Sequence, residues 1–196
     1  MPLGWKLDNL IWMRVKSKVP PSLLGFCTFI GAGSVATFPR KPIITKAPMP
    51  RPLSIWILDP YHSGSHAAWA KGCVRALEAV DHNVTLHALP GRHWKWRMHG
   101  AAAVWAQSWD AETHPPDLIL TTDMCDVAQL KGLMPRHWTK VKVAVMFHEN
   151  QLTFPWSPTD PDPEHGRDNH YAYLNLSTGL AADQVWFNSC LLYTSP

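Results

Sequence analysis

From residue 53 onward the hydrophobic and polar positions fall into two alternating kinds of run. Short apolar, β-branched stretches occupy Leu53–Leu58, Asn83–Leu89, Asp117–Thr121, Val141–Phe147 and Gln184–Asn188. Runs of four to eight such residues read as strands, and near-continuous apolarity reads as strands buried on both faces. Between them the apolar positions take helical spacing. Ala70, Cys73, Val74, Leu77 and Val80 predict a helix from about His66. Gly100–Trp109 is Ala-rich and helical, Met124–Leu133 forms a short helix ended by Pro135, and Tyr171–Ala182 forms the last. Strand–helix alternation of this kind predicts an α/β domain, a parallel sheet with helices on both faces.

In open α/β sheets ligands bind just beyond the carboxyl ends of the strands. The segments that follow the strands are therefore where chemistry is expected. The fourth run ends abruptly in His148, Glu149, Asn150 and Gln151. His148 suits a base or an orienting donor, and Glu149 suits a group that holds its tautomer. A polar network closing the strand end is the structural alternative. A zinc-protease pattern H-E-x-x-H fails, because its fifth position is Leu152. Nothing in the sequence requires a metal, and none is expected.

Asp59–His66 joins the first strand to a helix start. Gly64 permits close backbone approach and Ser65 can cap the helix. Free N–H groups and the helix dipole there suit an anion such as a phosphate. The segment is neither G-x-G-x-x-G nor a P-loop, so a plain capped turn stands as the alternative. A plain cap, however, requires neither His62 nor His66. Arg92-His93-Trp94-Lys95-Trp96-Arg97 interleaves cations with indoles, a pattern that suits phosphates and stacked bases. Taken alone, the segment reads rather as an amphipathic surface stretch with half-buried Trp residues. Tyr171, Tyr173, Asn175 and Ser177, followed by Asn188 and Ser189 at the last strand end, complete the polar positions. Taken alone, Tyr173 reads as a packed helix aromatic. The Pro- and Asp-rich stretch from Pro155 to Asp168 is long enough to predict a substrate-facing or mobile loop rather than a simple link.

Composition narrows the classes. The chain has 196 residues, 46% hydrophobic and 17% charged, which suits one globular domain. The net charge of +3 is misleading. Residues 1–48 hold seven basic residues against one acidic, a balance of +6, and the remainder holds 11 basic and 14 acidic, a balance of −3. Global charge thus gives no support for nucleic-acid binding, which must rest on a local patch. Cys27, Cys73, Cys125 and Cys190 form no C-x-x-C pair and fit reduced, cytoplasmic usage. Residues 1–48 form a basic, Pro-rich extension. Its uncharged part, Pro20–Pro39, is too short and too rich in Gly and Ser for a membrane span. The extension reads as disordered or as spurious upstream translation, with Met49 the true start, although Arg14–Ala36 superficially resembles a signal peptide. Residues 190–196 read as a non-native tail, and the natural chain is expected to continue beyond Ser189.

In combination and in this order, Pro60–His66, Leu89–Arg97, Phe147–Leu152 with Pro155, Tyr171–Asn175 running to Asp183, and Phe187–Ser189 resemble the tRNA-queuosine mannosyltransferase family. The resemblance covers roughly residues 53–189. It implies a Rossmann-like, doubly wound domain, the N-terminal, acceptor-side half of a GT-B glycosyltransferase, over residues 49–189. It implies transfer of mannose from GDP-mannose to queuosine in a tRNA anticodon, with no cofactor and no membrane. His148 and Glu149 would be catalytic. Gly64, Ser65, His66, Asn188 and Ser189 would face the donor phosphate and sugar. His62, Arg92, Trp94, Trp96, Arg97, Asn150, Gln151, Tyr173 and Asn175 would face the acceptor and tRNA. The fragment alone would be inactive. Two rivals remain at this level: a non-catalytic nucleic-acid-binding Rossmann-like module, and a sugar-related hydrolase or epimerase.

Overall fold

A computed structural model describes residues 51–110, 113–151 and 155–187. The basic extension, Asn188, Ser189 and the tail lie outside the described residues. The chain runs β1 (Ser54–His62), α1 (Gly64–Glu78), β2 (Asn83–Pro90), α2 (Trp94–Ala106), β3 (Leu118–Thr122), α3 (Val127–Leu133), β4 (Lys142–Phe147), α4 (Asp168–Ala181) and β5 (Gln184–Phe187). The five strands form one sheet in the order β2-β1-β3-β4-β5, and every neighbouring pair is parallel. The α/β parallel sheet read from the alternating runs, and the Rossmann-like arrangement that the resemblance implies, are therefore borne out.

Strand parity divides the core. Ile57, Leu120 and Ala144 point to one face, where Ala70, Trp69, Cys73, Val74 and Leu77 of α1 cover them. Their chain neighbours Leu58, Ile119, Val143 and Val145 point to the other, under Ala101, Ala102 and Trp105 of α2 and Val127 and Leu130 of α3. Successive strand side chains face opposite sides, so a strand must be apolar at every position to serve both layers. Cys125 lies in the second layer, and burial pushes its thiol up to about 12. Cys73 is pushed by burial to about 11, and both are free thiols. No described helix is long and apolar enough to cross a membrane.

Several boundaries differ from the sequence expectation. β1 does not stop at Leu58 but continues through His62. Asp59 pairs with Ala88 and His62 with Pro90, so three steps on β1 match two on β2. That bulge accommodates Pro60, which cannot donate to the ladder. Ser65 does not cap α1. The capping position is Ser63, whose side chain makes no cap hydrogen bond, and Ser65 lies inside the helix. α2 starts at Trp94 rather than Gly100, launched by His93 in the left-handed region at φ 55°.

Candidate active site

The strand order reverses direction at β1: the chain steps outward to β2, then returns past β1 to β3 and on to β4 and β5. Loops that leave the carboxyl ends of β1 and β3 diverge to opposite sides, and a crevice opens between them. Three side chains meet there. His66 comes from the first turn of α1, just after β1. Asp123 follows β3 directly, and His148 follows β4 directly. Their ligand-capable atoms all lie within 4.8 Å of one another.

The group is buried. Asp123 is 1% and His66 7% exposed, and the His148 side chain is 8% exposed. The imidazoles of His66 and His148 lie with ring centroids 4.3 Å apart. Tyr61 meets His66 edge-on, and Trp69 meets His148 edge-on. Asp123 Oδ1 accepts the backbone N–H of His148 at 2.9 Å. It also stands 3.5 Å from His148 Nδ1, but that contact lacks hydrogen-bond geometry, and both ring nitrogens of His148 and Nδ1 of His66 are buried without a partner. Buried polar atoms are normally satisfied, so these nitrogens point to something the crevice receives. Burial holds the His66 imidazole below its ordinary value, and the His148 ring adds to this, while the Asp123 and Asp59 charges pull the other way.

Glu149 is not the group beside the His148 ring nitrogens; that place is taken by Asp123. The Glu149 carboxylate accepts instead from Gln151 Nε2 at 3.2 Å. Burial, then the charge of Asp123, pushes the Glu149 carboxyl above its usual range, against the Gln151 hydrogen bond and the His148 charge. Asn175 ties the two loops to α4. Its Oδ1 accepts from the Gln151 N–H at 2.8 Å and its Nδ2 donates to the Asp123 carbonyl at 3.1 Å. Both ends of that amide are occupied and the residue is 3% exposed, so it positions the rim. Asn150 and Gln151 are buried beside it.

The helix start beside this cluster depends on two glycines. Gly64 opens α1 at φ +48°, a conformation that favours a residue without Cβ. A Cβ on Gly91 would lie 2.2 Å from Ser63 Cβ, so the turn after β2 presses directly on the turn after β1. His62 is held by Asp59, Nδ1 to Oδ2 at 2.7 Å, and that carboxylate is fully buried.

The cation–indole segment divides. Trp94 packs with Trp156 and Tyr171, at 5.9 and 5.1 Å between centroids. Lys95 holds the Pro- and Asp-rich loop through Asp160 and Asp162, so that loop is anchored on α2. Arg97 Nε donates to the Pro90 carbonyl at 3.2 Å, and Arg92 is exposed. Trp96 is 77% exposed and so free to meet a partner. Tyr173 is 63% exposed, which replaces the packed-aromatic reading of that residue.

Sequence reasoning missed Asp123. The signal was available: the rule that singled out His148, the first polar side chain past a buried strand, applies equally to the residue after β3. The sequence reading passes from the third strand to a short helix at Met124–Leu133 and assigns Asp123 no role. In the structure α3 begins at Val127, capped by Asp126 through the Gln129 N–H.

The family model for the tRNA-queuosine alpha-mannosyltransferase N-terminal region matches residues 54–195. The chain belongs to the tRNA-queuosine alpha-mannosyltransferase family. A tRNA-queuosine alpha-mannosyltransferase of Drosophila melanogaster is 31% identical over 135 residues, which cover 69% of this chain and 33% of that relative. The chain thus spans about a third of the relative's length. No solved structure matches. The family assignment agrees with the motif resemblance, and every described motif that carried it lies at the carboxyl rim of the sheet or on the helices that leave it: the β1–α1 turn, the start of α2, the loop after β4, and α4.

Proposed function

We propose that this domain forms the acceptor-side half of a GT-B cleft and takes part in transfer of mannose from GDP-mannose to queuosine in tRNA. The observation that carries the reading is the convergence of His66, Asp123 and His148, with unpartnered imidazole nitrogens, at the crevice where the strand order reverses. The name of the fly relative supplies the sugar and the acceptor class. In this reading the α1 N-terminus, opened by Gly64, receives the donor diphosphate through its free N–H groups and dipole. The His66–Asp123–His148 cluster holds the sugar and acceptor hydroxyls beside the anomeric carbon. A retained α-linkage needs no protein nucleophile when the leaving phosphate takes the acceptor proton on the same face. The protein then works by positioning and by stabilising developing charge. Trp96, Arg92 and Arg97 offer a stacking surface and cations to the tRNA.

The test is hexose transfer by a full-length protein carrying this domain, supplied with GDP-mannose and tRNA. Queuosine-containing tRNA is expected to gain one hexose by mass, and tRNA with guanosine in that position none. Equal labelling of both, or none of either, contradicts the reading. The 196-residue chain by itself is expected to bind tRNA without turnover. A tRNA-binding module without catalysis would leave the donor untouched in the full-length assay as well.

A further inference from the structure

We propose that His66, Asp123 and His148 bind a divalent transition-metal cation of the zinc class. The three side chains offer two imidazole nitrogens and one carboxylate oxygen, all within 4.8 Å of one another. Imidazole with carboxylate is a donor set that suits first-row metals such as zinc. Ligand bonds of about 2.0–2.2 Å require the three side chains, now within 4.8 Å of one another, to draw together on the metal.

A second observation is independent of their proximity. His66 Nδ1, His148 Nδ1 and His148 Nε2 are all buried without a hydrogen-bond partner. Three orphaned nitrogens in one place call for an occupant that accepts their lone pairs or their protons. The His148 ring makes no hydrogen bond to Asp123, whose Oδ1 stands 3.5 Å from His148 Nδ1 and accepts the His148 backbone N–H instead. The surroundings fit a cation. Asp123 brings a carboxylate that is only 1% exposed. The backbone anchors are fixed as well: the His148 N–H on Asp123 Oδ1, and Asn175 on the Asp123 carbonyl. One feature opposes it, the positive end of α1 near His66, but a single helix end is small beside three ligand bonds. Three protein ligands leave coordination positions open towards the crevice, where sugar, phosphate or acceptor oxygens arrive.

The inference does not rest on the transferase reading, and its test uses neither sugar nor tRNA. The 196-residue chain is stripped with a chelator and titrated with Zn²⁺ by calorimetry, and separately with Co²⁺, whose visible spectrum reports the ligand geometry. One saturating equivalent is expected, with a higher melting temperature and a tetrahedral cobalt spectrum. His66→Gln and His148→Gln should each weaken Zn²⁺ binding by about 100-fold or more, since loss of even an outer-shell partner costs about 10–100-fold. The exposed pair His99 and His170, with Nε2 atoms 2.5 Å apart, is the other imidazole pair among the described residues. His99→Gln should leave the affinity unchanged. Absence of saturable binding by the unsubstituted chain overturns the proposal, and this arm needs no variant to fold. So does an affinity that survives both His66→Gln and His148→Gln, or one that falls with His99→Gln instead. Failure here leaves hexose transfer to be judged by its own assay. Intact metal binding without hexose transfer would overturn only the transferase reading.

Discussion

Glu149 is a half-buried carboxyl whose folded form resists ionisation. A group with a folded pKa above its unfolded value favours folding below the unfolded pKa, and that contribution is lost as pH rises through the folded one. For Glu149 the window opens at the ordinary 4.5 and runs upward. Glu149→Gln should therefore raise the melting temperature at neutral pH relative to the unsubstituted chain, with the gain vanishing as pH falls below 4.5. Melts at both pH values check this, and an equal effect at both would show that ionisation is not the cause. Two indoles two residues apart make a second contrast. Trp94 is packed on Trp156 and Tyr171, so Trp94→Ala should cost about 2 kcal/mol. Trp96→Ala should change stability by less than about 0.5 kcal/mol and should weaken tRNA binding by about 1–3 kcal/mol. A fall in melting temperature for Trp96→Ala with tRNA affinity intact would assign that indole to packing.

At the scale of elements, the rim is built by loops that brace one another. The turn before α1 and the turn before α2 meet at Ser63 and Gly91. Gly91→Ala forces two Cβ atoms into overlap and should destabilise by about 1–3 kcal/mol, the usual cost of overpacking. Ser63→Gly in the same chain should restore most of that loss in a thermal melt. Additive losses would mean that the two turns do not press on each other. This close approach was not legible in the sequence, because a glycine after a strand reads only as a turn. The longer β1 was hidden for a related reason. Asp59 and His62 are polar, and nothing in their order reveals that they stay in the ladder with β2 through a bulge. The early start of α2 was masked by Trp and Lys residues that form no apolar stripe, whereas the Ala-rich half beyond Gly100 is plainly helical.

For the whole molecule, the alternating runs specify a parallel α/β sheet because each strand must be apolar on both faces. They do not specify the order β2-β1-β3-β4-β5, which depends on which side each crossover takes. That order decides where the crevice opens. It brings His66 and His148, 82 residues apart in the numbering, into ring contact and sets Asp123 between their loops. The polar cluster after β4 was therefore visible as chemistry, while its meeting with His66 and Asp123 across the sheet was not. We propose that the sugar is transferred in this crevice. In a full-length protein carrying this domain, steady-state transfer by His148→Ala, compared with its thermal melt, tests it most directly. Turnover should fall by roughly 10²–10³-fold, the effect of losing one preorganised group, while the melt still shows a cooperative, folded protein at the assay temperature. Near-normal turnover with the fold intact would contradict the claim.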